Sequence, residues 1–169
     1  MTPEIEIIEK EFGNVIEVEE LVPMTKMPSV MGKNFAGIKK YLEKNNIECI
    51  EPPYAKYLDI DWDIQMKKGF LANFIEAFTK KWHFKVGFVI SNKVEDFEEK
   101  MSDFIAKQRY IQTTHLGAYH KVGNTYKRLY AWAKENDLKL SGVSFEFYLN
   151  DPQKVKKDEL ETRVLIPIV

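Results

Sequence analysis

A weak internal repeat constrains this chain more than any single motif. Moved along by 91 positions without gaps, residues 35–59 fall on residues 126–150. Phe35 meets Tyr126, Ile38 meets Leu129, Tyr41 meets Trp132 and Asn45 meets Asn136. Further on, Ile47 meets Leu138, Tyr57 meets Tyr148, Leu58 meets Leu149 and Asp59 meets Asn150. Identities are few. What repeats is the apolar phase across a helix, a turn and a strand, and a repeated phase asks for a repeated supersecondary unit.

Each copy carries the same order of elements. A first strand is expected over residues 15–22 and again over 108–114. A helix follows over 29–44 and 122–135, its stripe of Phe35, Ile38, Tyr41 and Leu42, or Tyr126, Leu129, Tyr130 and Trp132, falling at helical spacing. Asn-Asn or Asn-Asp ends each helix, where these residues tolerate the left-handed cap. A second strand is expected over 54–59 and 143–149, and a closing strand over 84–90 and 162–169. The fold class is therefore α+β: duplicated βαββ modules with pseudo-twofold symmetry, antiparallel sheets with helices on one face and a ligand groove on the other. Residues 1–169 read as a single domain, with a first half over about 13–91 and a second over about 104–169.

The halves differ by an insertion. Residues 63–81 have no counterpart in the second copy, and Phe70, Leu71, Phe74, Ile75 and Phe78 recur there at three- and four-residue spacing. This is an amphipathic helix whose greasy face serves as core, as a lid over the groove or as a dimer surface.

The chemistry concentrates in residues 142–152. Phe145, Phe147 and Leu149 alternate with Glu146 and Tyr148, and Asn150-Asp151-Pro152 ends the strand. A carboxylate in mid-strand between large apolar residues is either paired internally, with Lys56, Arg109 or Lys107, or open to a cation. Burial without a partner raises its pKa. A cationic guest would restore the ionised form, and a pKa near neutrality would also suit a general base. Tyr148 and Tyr57 lie in phase with Glu146 and offer faces for stacking and hydroxyls for hydrogen bonding. Tyr110 on a neighbouring strand and Trp132 on the second helix are further aromatic candidates, with Phe70 and Phe74 of the insertion as cover.

Several functions are set aside by the composition. A net charge of -1 leaves no basic surplus for general nucleic-acid binding. One cysteine, Cys49, excludes an intramolecular disulfide and a cysteine-rich zinc site; it is expected as a small buried apolar residue. The acidic start lacks a signal peptide's order and no run of about 18 apolar residues occurs, so a cytoplasmic protein without a membrane partner is expected. Asp59, Asp61 and Asp63 alternate as in a calcium loop, but Ile64 and Phe70 stand where that loop needs Gly and Glu. His83, His115 and His120 lack metal-ligand spacing, and no phosphate loop or dinucleotide fingerprint occurs. No cofactor or metal is implied.

The second half resembles a known family. Residues 106–110 with His115-Leu116-Gly117-Ala118-Tyr119, the helix Tyr126-Lys127-Arg128-Leu129-Tyr130-Ala131-Trp132 and the strand-and-turn Phe145-Glu146-Phe147-Tyr148-Leu149-Asn150-Asp151-Pro152 are similar to motifs of the GyrI-like (gyrase-inhibitor-like) small-molecule-binding domain. Residues 162–168 resemble its closing strand, and Pro52-Pro53-Tyr54-Ala55-Lys56-Tyr57 the matching motif of its first half. The resemblance covers about residues 13–169. It implies the duplicated βαββ fold of the effector-binding domains of MerR-type and AraC-type multidrug regulators, here stand-alone because too few residues precede it for a helix-turn-helix. It implies binding of amphipathic, cationic aromatic compounds by a strand glutamate, Glu146, and aromatics. Relatives that hydrolyse cyclopropane-type alkylating toxins imply an alternative, with Glu146 and Tyr148 catalytic. A third is a protein-interaction module, such as a gyrase inhibitor or a regulator's partner, as monomer or homodimer. The family often has an acid at the position of Arg163.

Overall fold

The computed structural model describes residues 2–169, and the side chains of all of these except residues 70, 71, 73, 74 and 77. The first strands are β1 (Glu6–Lys10) and β2 (Gly13–Pro23), followed by the helix α1 (Met27–Lys44) and the strand β3 (Tyr54–Tyr57). The insertion holds α2 (Trp62–Lys67) and α3 (Phe70–Thr79), and β4 (Lys81–Val89) closes the first half. The second half runs β5 (Met101–Ile105), β6 (Gln108–Leu116), α4 (Val122–Glu135), β7 (Ser144–Tyr148) and β8 (Glu161–Pro167). Both long helices end on a residue in the left-handed region, Asn46 (φ 54) and Asp137 (φ 53), as the Asn-Asn and Asn-Asp pairs foretold. The helices end 91 positions apart but start 95 apart, at Met27 and Val122, so α1 is longer by four residues, about one turn.

The strands form one eight-stranded antiparallel sheet in the order β1-β6-β8-β7-β3-β4-β2-β5, so the expected separate sheets are joined edge to edge. The junction pairs Tyr54 with Phe147, Ala55 with Glu146 and Lys56 with Phe145. Ala55 and Glu146 are also repeat counterparts, which places the pseudo-twofold axis between them.

The strands β1 and β5 escape the sequence reading because they are short edge strands whose partners are remote in sequence. Each leads into one half but pairs with the other: β1 lies on β6 and β5 on β2. This exchange forces the sheet to curl. Lys10 and Gly13 are three Cα steps apart, a reach of about 11 Å. The strands they end and begin are six places apart in the sheet, about 29 Å if it were flat. Ile105 and Gln108 impose the same closure on the opposite edge.

Curling separates an inner face from an outer one. Inside, Phe12, Val15, Tyr54, Val89, Ile105, Tyr110, Phe145, Phe147 and Leu165 form one cluster drawn from both edges of the sheet. Outside, Ile38 and Leu42 of α1 cover Ile16, Phe84 and Val86, while Leu129 and Ala133 of α4 cover Ile111, Val164 and Ile166. The insertion is two helices rather than one. Lys68 is extended and Gly69 caps α3, so the greasy pattern does not continue from α2. Cys49 is exposed, not buried, in an isolated bridge to Ile90 outside the named strands.

Candidate functional site

Alternation along β7 decides where the glutamate goes. Phe145 and Phe147 point into the curl, so Ser144, Glu146 and Tyr148 point out, toward the helices. The groove expected on the face away from the helices is therefore not where Glu146 lies. Both strands beside β7 hold it in place, β3 on one edge and β8 on the other.

Glu146 is enclosed, with 6% of its surface exposed. The Tyr126 hydroxyl, reaching down from α4, donates to Oε1 at 2.8 Å and lies 2.9 Å from the Ser144 hydroxyl. The Tyr148 hydroxyl donates to Oε2 at 3.1 Å. Tyr57 is a looser third partner, interacting with the carboxylate and with Tyr148. Burial raises the carboxyl pKa, and the three tyrosine hydroxyls only partly oppose it by bonding the ionised form. Burial, then the field of Glu146, pushes the Tyr57 and Tyr126 hydroxyls well above their ordinary range, so they act as donors and not as phenolates. Among the described residues no cation pairs with Glu146. Lys56 lies 3.8 Å from Glu17 on the other face and Lys107 is 2.6 Å from Glu9.

A second layer of rings surrounds the cage. Phe35 of α1 and Tyr119, in the turn before α4, both pack edge-on against Tyr148, at 6.0 and 5.5 Å between centroids. Trp62, the first residue of α2, lies 5.6 Å from the Tyr126 ring and donates its indole N–H to the Ser141 carbonyl. The helix α2, which leads into the insertion, thus bears on the site through Trp62, its first residue.

The inner face carries a second buried glutamate with the opposite solution. Glu17, fully buried on β2, accepts from Tyr54 at 2.6 Å and has Lys85 at 3.1 Å and Lys56 at 3.8 Å. Gly87 stands between Glu17 and Tyr54 in the sheet. A Cβ there would lie 3.0 Å from the Tyr54 hydroxyl and 2.9 Å from the Glu17 side chain, so the missing side chain lets the two meet. Arg163 also lies on this face, bonded to Glu51 at 2.7 Å and over the Phe147 ring at 4.7 Å.

Of the aromatic candidates, the fold brings Tyr57 and Tyr148 to Glu146 and separates two others from it. Tyr110 is inside the curl, edge-on to Phe12 and Phe145. Its place on β6 is out of phase with the outward face. Trp132 lines a shallow cleft of about 350 Å³ with Pro3, Ile5 and Arg128. Phe70 and Phe74 lie outside the described side chains. Sequence reasoning missed Tyr126, which it placed in the apolar stripe. The signal was in the repeat: Phe35 becomes Tyr126 in the copy where Ala55 becomes Glu146, a hydroxyl gained together with a carboxylate.

Residues 3–169 match the GyrI-like small molecule binding domain family, and the chain belongs to it. No curated protein matches the chain. Among solved structures, it is similar to the EcmrR C-terminal domain (18% identity, TM-score 0.73, covering 100% of this chain and 99% of that one). Against EcmrR in its complex with DNA (19% identity, TM-score 0.75), 99% of this chain spans 58% of the other. SAV2435 bound to tetraphenylphosphonium is 10% identical (TM-score 0.62, 100% and 94% covered). A hydrolase of Listeria innocua is 12% identical (TM-score 0.64, 99% and 92% covered). At such identities the likeness establishes the fold. No helix among the described residues is long and apolar enough to cross a membrane.

Proposed function

We propose that the tyrosine cage around Glu146 binds an amphipathic aromatic cation, with the carboxylate supplying charge and Tyr57, Tyr126 and Tyr148 supplying ring faces. One observation carries this reading: an enclosed carboxylate held by hydroxyls, with no cation beside it among the described residues. Such a group is costly to ionise alone, and a guest cation removes that cost in a medium where attraction is strong. The outer rings, Phe35, Tyr119 and Trp62, give a large guest apolar surface beyond the charge. Glu146 is nearly closed off, so the guest must part the rings of Tyr148 and Tyr119. The relative bound to tetraphenylphosphonium lends chemical support.

The test is titration of a fluorescent cationic rhodamine, with tetraphenylphosphonium as competitor, against the native protein and Glu146→Gln. The expected loss in the variant is tenfold or more, about 1.4 kcal/mol. Equal affinities would remove the carboxylate from the site. The raised pKa of Glu146 favours one second reading, a hydrolase. Glu146 would take a proton from water, the oxygen would bond to a cyclopropane carbon, the strained C–C bond would break toward an electron-withdrawing group protonated by Tyr148, and the proton on Glu146 would return to Tyr148 along their 3.1 Å hydrogen bond. Incubation with a cyclopropane-bearing alkylator and mass analysis decides it: stoichiometric binding without a hydrated product rejects catalysis.

A further inference from the structure

A cleft of about 570 Å³ lies away from Glu146. It lies where β2, β3 and β4 end near α2, lined by Glu19, Leu21, Ile60, Lys80, Trp82 and His83 among others. Its acids already have partners. His83 sits between Asp59, at 2.6 Å, and Glu19, and these two hydrogen bonds raise its pKa. Glu20 accepts from the Asn34 amide at 2.8 Å.

Its donors are in the reverse position. The Trp82 indole N–H is buried and has no hydrogen-bond partner among the described residues. A buried orphan donor costs about 1–3 kcal/mol and is uncommon in a folded protein. The Lys80 ammonium lies 4.5 Å above the same ring. Neither Lys80 nor Lys81 has a salt bridge among the described residues, and Glu76, the acid of the preceding helix, is taken by Lys68 at 2.6 Å. Burial and then the neighbouring Lys68 charge hold Lys80 below its ordinary pKa, and the field of Glu76 opposes them only in part. The remaining walls are Leu21, Leu58 and Ile60, with the polar Gln65 beside them, and Leu21 is 56% exposed.

We infer that this cleft is a second binding site, taking a small organic acid whose carboxylate meets the Trp82 N–H and Lys80 while its apolar body lies against Leu21, Leu58 and Ile60. The cleft and the cage take ligands of opposite charge.

The three indole N–H signals of a ¹⁵N-labelled sample read it directly, with Trp82 assigned through Trp82→Phe. Benzoate, titrated against chloride at equal ionic strength, should move the Trp82 signal downfield with saturation. Those of Trp62, already bonded to Ser141, and Trp132 should stay in place. Acetate and inorganic phosphate should bind at least threefold more weakly, because neither fills the apolar walls. Lys80→Gln should weaken benzoate at least fivefold, with unchanged Trp62 and Trp132 signals reporting an intact fold, and Glu146→Gln should leave it unaltered. A shift without saturation, a common drift of all three signals, or unchanged affinity in Lys80→Gln overturns the site. Phosphate binding more tightly than benzoate overturns the organic acid.

Discussion

The two buried glutamates lie on opposite faces of one sheet and differ in what neutralises them. Glu17, inside the curl, has Lys85, Lys56 and the Tyr54 hydroxyl. Glu146, outside and under the helices, has hydroxyls alone. The first has its counter-charges within the fold, although its buried Oε2 has the Lys85 ammonium nearby and takes no hydrogen bond among the described residues. The second is enclosed with no charge opposed to it among the described residues, which is why it is the proposed ligand site. Burial alone does not single out a carboxylate for a proposed binding role; the missing counter-charge does.

That contrast can be broken by substitution. The largest effect is expected from Glu17→Gln, which leaves Lys56 and Lys85 close together with no acid between them; a loss of about 3 kcal/mol should appear in urea unfolding. A change below about 1 kcal/mol would mean the lysines escape to solvent. Next comes Tyr126→Phe, which removes one hydrogen bond to Glu146 and one to Ser144 and should cost about 1.5 kcal/mol. It should also raise the Glu146 pKa further, seen as a shift of dye binding to higher pH.

Glu146→Gln should be the smallest and have the opposite sign, a gain of about 1 kcal/mol at neutral pH, since an unpaired buried carboxylate is removed. The folded pKa of Glu146 lies above its ordinary 4.5, so the folded state holds the proton more tightly. Its cost to stability is absent below the unfolded pKa, grows as pH rises through the folded pKa and is constant above it. The native protein should therefore lose stability relative to the Gln variant as pH rises from about 4.5, and cation affinity should rise over the same interval. Parallel stability curves for the two proteins would sink this account.

The two halves teach the same lesson at smaller scale. Across the pseudo-twofold axis, Ala55 faces Glu146, and Phe35 takes the place of Tyr126. Tyr57 and Tyr148 are matched. The two halves supply a tyrosine each at matched positions, whereas the carboxylate of Glu146 and the hydroxyl of Tyr126 occur in the second half alone.

Much of this was legible in the chain. The repeat, the helices, their caps and six of the strands rest on local periodicity and on residues acting within a few positions of themselves, so the linear order carries them. The same periodicity put Glu146, Tyr148 and Tyr57 in one phase. Tertiary structure alone decided the exchange of β1 and β5, because each pairs with a strand about a hundred residues away and its short pattern names no partner. The exchange curls the sheet, and the curl decides which face is inside. That choice put Tyr110 with Phe12, brought Lys56 and Lys85 to Glu17, and turned Glu146 toward Tyr126. Phase along a strand is a local property, whereas the identity of the charge across from a carboxylate depends on which distant segments the closed sheet brings together.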